Sequence, residues 1–452
     1  MKNYFKKAFF ALCLISIVAC SDDDDTTFIP VSMTIADFVA DNADYSSLLA
    51  ALERTNLDVT LNSNGDFTVF APNNAAFTEF LDGAALEDVP VETLEQILLN
   101  HVLDVRAPSS SLSTGYVSNL ATESNSSANL SMYINTSNGV VINGDVTVTT
   151  ADIMTDNGII HAVDKVIPLP TMLTFVGADS NFSTLATVAT TTTGFLTDFG
   201  AVLSGADSNL TLLAPDNDAF TALGDISGVP AATIEQILLN HVIAGTNISS
   251  SLTTSYNNTL ATYGSTMNNL SIYINTENGV SFNGISTVTE ADIVASNGVI
   301  HKVGSVITLP TVVTFATADA TFSTLVEALT TLTPSTDFVA ALSTENGTAP
   351  APFTVFAPTN DAFAAIDVPM DENVLANILN YHVVGENNVR STDLVDGPVT
   401  MLNDIDVTID ASAPSVTGSG NTTASNIVVV DVQAANGVVH VIDQVLIPAP
   451  TN

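Results

Sequence analysis

Six histidines are the only imidazoles in this 452-residue chain, and they occupy two recurring positions. His101, His241 and His382 each follow an apolar run, whereas His161, His301 and His440 each follow Asn-Gly and two aliphatic residues. Imidazole titrates near neutrality, so such residues could act as general bases or as ligands for a transition metal. A zinc site needs three or four converging ligands, usually including a close local pair. Here each histidine is isolated and flanked by Val, Ile or Leu. That setting favours a neutral ring inside a core, with one nitrogen donating and the other accepting. All six are therefore expected to be structural, with no catalytic residue, no metal ligand and no cofactor.

The first set is spaced by 140 and 141 residues and the second by 140 and 139. This period is of domain length, well beyond the roughly 20–50 residues of solenoid repeats. The chain thus reads as three copies of one module, at 34–170, 171–310 and 311–450. Short links containing Pro168, Pro170 and Pro310 are expected to be semi-rigid.

Each module opens with helical patterning, as in Ile35, Phe38, Val39, Leu48, Leu49 and Leu52. A short strand, Phe67–Phe70 in the first copy, runs into Ala-Pro and then Asn73, Asp216 or Thr359. Proline ends the strand, and these oxygen-bearing side chains suit helix caps. Asp216, Asp218 and Asp361 could alternatively offer calcium hard oxygen ligands. The first copy, however, has only Asn73 and Asn74 there. A second helix places Leu94, Ile97, Leu98 and His101 on one face. The remainder alternates as β structure around Asn138-Gly139 and Asn143-Gly144, both hairpin signals. A closing strand follows Asn157-Gly158, Asn297-Gly298 or Asn436-Gly437. Helices followed by strands within one unit imply an α+β class.

Lys2, Lys6 and Lys7 precede an apolar stretch from Ala8 to Ala19, so 1–19 reads as a signal peptide. Ile17-Val18-Ala19-Cys20 resembles the lipobox of bacterial lipoproteins, which implies that Cys20 becomes the acylated first residue. Ser21 and the four aspartates after it resemble the acidic surface-export signal of Bacteroidota lipoproteins. Residues 20–33 then form an acidic tether. The implied location is the cell surface or outer membrane, lipid-anchored and facing the exterior. Cys13 leaves with the signal, so no cysteine remains for disulfide or thiol chemistry.

After Cys20 the chain carries 48 acidic residues and only Arg54, Arg106, Lys165, Lys302 and Arg390 as bases. Nucleic acid and anionic lipid would be repelled. Weak divalent-cation binding remains compatible with such a surface. No Gly-x-Ser-x-Gly elbow, His-Glu-x-x-His, Walker loop or dinucleotide glycine pattern is present. Paired carboxylates for glycoside cleavage are not excluded by this composition.

Three segments in fixed order carry a family resemblance. The strand with Ala-Pro-x-Asn-x-Ala-Phe, the Asn/Tyr-His-Val segment and the closing Asn-Gly-x-x-His run are similar to the hallmark regions of the fasciclin domain. Their triple recurrence covers nearly all of the chain after the tether. The resemblance implies three tandem modules, each a β-wedge or β-sandwich packed with several helices. It also implies extracellular adhesion or matrix modules that are not enzymes.

Animal fasciclin members carry proposed integrin-contact residues, an Asp-Ile pair and a Tyr-His segment. Asp152-Ile153 and Asp292-Ile293 match the pair, Asp431-Val432 departs from it, and Tyr381 precedes His382 as in the Tyr-His segment. These residues mark a candidate partner surface on exposed turns, without implying integrins. The expected function is a non-enzymatic surface lipoprotein that adheres to extracellular matrix, polysaccharide or a cell-surface protein. Alternatives are a carbohydrate-capturing or carbohydrate-active accessory protein, or a passive spacer of the envelope.

Overall fold

The architecture of each module follows from a strand that has no exposed face. The structure, a computed structural model, describes residues 33–206 and 208–450; the signal segment, Cys20 and nearly all of the tether lie outside the described residues. In the first module α1 (Ile35–Asp41) begins at Thr34, whose hydroxyl accepts the N–H of Asp37 in a capping box. Next come α2 (Ser46–Thr55) and α3 (Leu57–Leu61), whose apolar positions turn inward. Strand β1 (Phe67–Pro72) is buried at all six positions. Burial on both faces explains why it reads as a continuous apolar run.

Asn73 ends β1 and caps α4 (Asn74–Leu81) by accepting the N–H of Ala76 at 3.0 Å. Asp216 and Thr359 do the same for Ala219 and Ala362, so these oxygens act as helix caps. Helix α5 (Val91–Leu99) buries Leu94, Ile97 and Leu98. It stops short of His101, which lies in the turn before β2 (Val102–Leu103) rather than on the helix.

The sheet continues with β3 (Gly115–Thr122), β4 (Asn129–Asn135), β5 (Val141–Ile142), β6 (Val146–Thr155) and β7 (Gly158–Val163). Its order is β2-β1-β7-β6-β5-β4-β3, with β1 and β7 parallel and the other neighbours antiparallel. In the second module the pairing of Thr259 with Ile243 closes the same series into a barrel. Asn143 and Gly144, at φ 50° and 76°, turn β5 into β6, as the Asn-Gly pair predicted.

Two apolar clusters result in the first module. One joins the helices to β1 and β7 through Leu52, Phe77, Leu98 and Ile160. The other fills the sheet's curled interior with Phe70, Met132, Ile134 and Ile167. The chain is α+β, with three tandem modules, each a seven-stranded sheet packed with helices. Among the described residues no single helix is long and apolar enough to cross a membrane.

Candidate functional site

The histidines form two kinds of strut. The Nδ1 of His101 faces the carbonyl of Ile97 at 2.7 Å, and its Nε2 faces the N–H of Ile167 at 2.8 Å. Donation at one nitrogen and acceptance at the other fixes a neutral ring protonated on Nδ1. His241 repeats both bonds with Ile237 and Ile307, and His382 with Ile378 and Leu446. Burial lowers all three pKa values to about 4, although the carbonyl bond pulls the other way.

The second set brings Ser, Asp and His together in every module, which are the residue types of a nucleophilic triad. The wiring is different. Ser109 Oγ donates to Asp152 Oδ2 at 2.5 Å, and its N–H donates to Oδ1 at 2.7 Å. His161 Nδ1 accepts the backbone N–H of Asp152 at 3.2 Å, while Nε2 donates to Ala107 O at 3.0 Å. A triad needs the histidine to accept the hydroxyl proton of the nucleophile. Here neither ring nitrogen faces the serine, and no acceptor position is left for its proton. Ser249-Asp292-His301 and Ser391-Asp431-His440 are wired alike. Among the described residues no group of three His, Cys, Asp or Glu side chains is placed to hold a metal ion.

The expected partner surface is corrected in several respects. Asp152, Asp292 and Asp431 do not sit in turns: they lie inside strands at β-bulges, with φ of 62°, 60° and 60°. Aspartate tolerates this left-handed conformation better than most residues. Their carboxylates are already bonded to serine, and those bonds hold Asp152 below the usual carboxylate range. Ile153 is half-buried against the helical core. Ile293, Val432 and Tyr381 are buried in their modules' cores. The Tyr381 hydroxyl donates to Asp406 O, fastening the end of a helix to the sheet.

A further set of side chains links the modules. Tyr116 and Tyr133 of the first module both donate to Asp179 of the second, at 3.2 and 3.3 Å. Tyr256 and Tyr273 clasp Asp319 of the third in the same way, at 2.8 and 3.4 Å. Burial, followed by the charge of Asp179, pushes the Tyr133 phenol up to about 12, so it remains a donor.

Around each clasp the contacts repeat. The Tyr116 ring meets Phe175 edge-on at 5.4 Å, and Tyr256 meets Phe315 at 5.6 Å. Ser131 Oγ accepts Val294 N–H, and Ser271 Oγ accepts Gln433 N–H, both at 2.9 Å. Pro170 and Pro310 carbonyls accept Ser296 and Ala435 N–H at 2.7 Å. The prolines expected to be linkers are thus bonded into joints.

The outward sides of the first and third modules lack the matching parts. Asn42 stands where Asp179 and Asp319 stand, and Met154, the counterpart of buried Val294, is 64% exposed. By strand register Pro398 and Thr408 replace the two tyrosines in the third module. The 140-residue spacing of Tyr116 to Tyr256, Tyr133 to Tyr273 and Asp179 to Asp319 is the signal that would have found the clasp.

A family model described as the fasciclin domain matches residues 43–170, 180–310 and 320–448. Transforming growth factor-beta-induced protein ig-h3 of Sus scrofa is 30% identical over 90% of this chain and 56% of its own length. Periostin of Homo sapiens is 27% identical over 94% of this chain and 49% of its own. The chain therefore spans about half the length of these two relatives. Cell surface glycolipoprotein MPB83 of Mycobacterium bovis is 34% identical over 30% of this chain and 60% of its own length.

Proposed function

Because the chain belongs to the fasciclin domain family, we propose that it is a non-enzymatic adhesion protein of the cell surface, binding extracellular matrix, polysaccharide or a surface protein. The observation that carries this reading is the internal wiring of the Ser-Asp-His group of each module: serine, aspartate and histidine are bonded to one another in all three modules. What is left to act is outer surface, presented three times over. Linked modules that engage together gain avidity through effective concentration.

Anchorage through Cys20 completes the proposal. Acyl chains contribute about 0.8 kcal/mol per buried methylene, so two or three hold a chain to a membrane without a spanning helix. The relative named as a cell surface glycolipoprotein is consistent with such a placement. The segment before Thr34 then serves as signal and spacer.

Two measurements test the proposal. Cells lacking the gene should attach less well to a matrix-coated surface and regain attachment with the wild-type gene but not with Cys20→Ala. Unchanged attachment across several growth conditions contradicts the adhesive role. Retention of the Cys20→Ala chain in the membrane fraction contradicts the anchor.

A further inference from the structure

The two joints share a clasp but differ in the cleft beside it. At the second joint the strand Ser255–Thr262 of module two and the bulged strand Ser425–Ala434 of module three border an open cleft of about 360 Å³. Tyr256 and Asn258 line it from one side, and Arg390, Asp431, Val429 and Val430 from the other. By strand register the first joint has Ser118 for Asn258, Glu290 for Val429 and Ala291 for Val430. Ile248 occupies the place of Arg390 at the start of the matching turn. One joint thus has a carboxylate where the other has a valine, and an isoleucine where the other has Arg390, the only Lys or Arg of 311–450.

The groups in this cleft select a class of ligand. Arg390 is already paired with Asp431 at 3.4 Å and donates to Gln433 at 3.1 Å, so the pair is formally neutral. An anion gains little from a guanidinium held this way, and the strongly acidic surroundings repel it. The Asn258 side chain is exposed and has no hydrogen-bond partner among the described residues. Val429 and Val430 are 39% and 42% exposed although they adjoin polar groups. Sugar hydroxyls donate and accept at once, which matches an amide next to a guanidinium–carboxylate pair. The C–H faces of a sugar ring match the valines and the edge of Tyr256. The volume lies within the roughly 300–1,000 Å³ of small-ligand sites, which favour domain interfaces.

We propose that the cleft between the second and third modules binds neutral polysaccharide, with Tyr256 and Asn258 supplied by one module and Arg390, Asp431, Val429 and Val430 by the other. This rests on the adhesive reading and names what is held. Because Tyr256 both lines the cleft and donates to Asp319 across the joint, sugar binding depends on an intact joint.

The test is titration calorimetry of the full chain with linear glucan and mannan oligosaccharides, and with a polyuronate oligosaccharide as the charged comparison. A neutral oligosaccharide should bind saturably. Asn258→Trp, which fills the cleft, and Val430→Asp, which charges its wall, should each weaken binding at least about tenfold, as loss of a central contact does. Ser118→Trp at the first joint should leave it unchanged, and each variant's melting temperature verifies its fold.

Absence of binding by both neutral sugars, wild-type affinity in both cleft variants, or preference for the polyuronate would overturn the proposal. If neutral sugars fail to bind while gene deletion still lowers attachment, the cleft assignment falls and the adhesive role stands. If deletion leaves attachment unchanged, the adhesive role falls and the titration still decides the cleft.

Discussion

His101 Nε2 accepts the backbone N–H of Ile167 at 2.8 Å, bridging 66 residues of sequence between the end of a helix and the exit from the closing strand. The same ring donates to Ile97 from its other nitrogen. Protonation would place a proton against the Ile167 N–H and a charge in a core. The folded pKa of about 4 lies below the ordinary 6.5, so the unfolded chain takes up the proton first. Stability from this ring is complete above about pH 6.5 and is lost as pH falls through about 4. The loss approaches about 3 kcal/mol for each of His101, His241 and His382. Urea unfolding between pH 7.5 and 4 should show it, and a flat profile over that window would contradict neutral burial.

The clasp should be separable from the cap that shares its aspartate. Asp319 accepts the N–H and the hydroxyl of Thr321 as well as the two tyrosine hydroxyls, whereas among the described residues Asn42 of the first module accepts only the equivalent N–H, from Asp44. Asp319→Ala should therefore cost about 1–3 kcal/mol more than Asn42→Ala, since buried hydroxyls lose their acceptor. Hydrogen exchange at Gln433 and Ala435, whose N–H groups cross the joint, should accelerate in Asp319→Ala, with Val438 inside the module unaffected. Equal effects of the two substitutions would mean that the clasp does not hold the joint.

Gly298 lies where the parallel strand Leu210–Pro215 passes, and a Cβ there would strike the Leu210 carbonyl. Its φ of 147° is also unfavourable for a side chain. Gly298→Ala should cost more than about 2 kcal/mol, because backbone rather than a flexible side chain must move. Gly177, in the helix Met172–Ala178, has open space at its Cβ. Gly177→Ala should be neutral or should stabilise by up to about 1 kcal/mol through helix propensity. Thermal melts of the two variants distinguish the positions.

Much of this was legible in the sequence where one strand or helix determines the outcome. Apolar flanks placed the histidines in cores, and Asn143-Gly144 predicted its hairpin. The Asn-Gly before the closing strand was legible only as a boundary. Asn157 in fact accepts Ile35 N–H at 2.9 Å and donates to Leu61 and Ser63 carbonyls at 2.7 and 2.8 Å, tying the first helix and a distant loop to the sheet. Such partners depend on tertiary placement, which spacing alone does not encode. The bulge at Asp152 was hidden for a related reason, because a bulge exists only relative to the register of its neighbour. Tyr381 looked like a surface residue from its motif, yet it fills the place that Asn100 and Asn240 occupy, and it is wholly buried.

The proton positions on the six imidazoles test the central claim most directly, since both the struts and the wiring of each Ser-Asp-His group rest on them. Nitrogen-detected NMR of the full chain at pH 7 should find His101, His241 and His382 protonated on Nδ1, and His161, His301 and His440 protonated on Nε2. Added zinc should leave all six signals unchanged. A ring in the opposite tautomer, or one that shifts with zinc, would contradict the account.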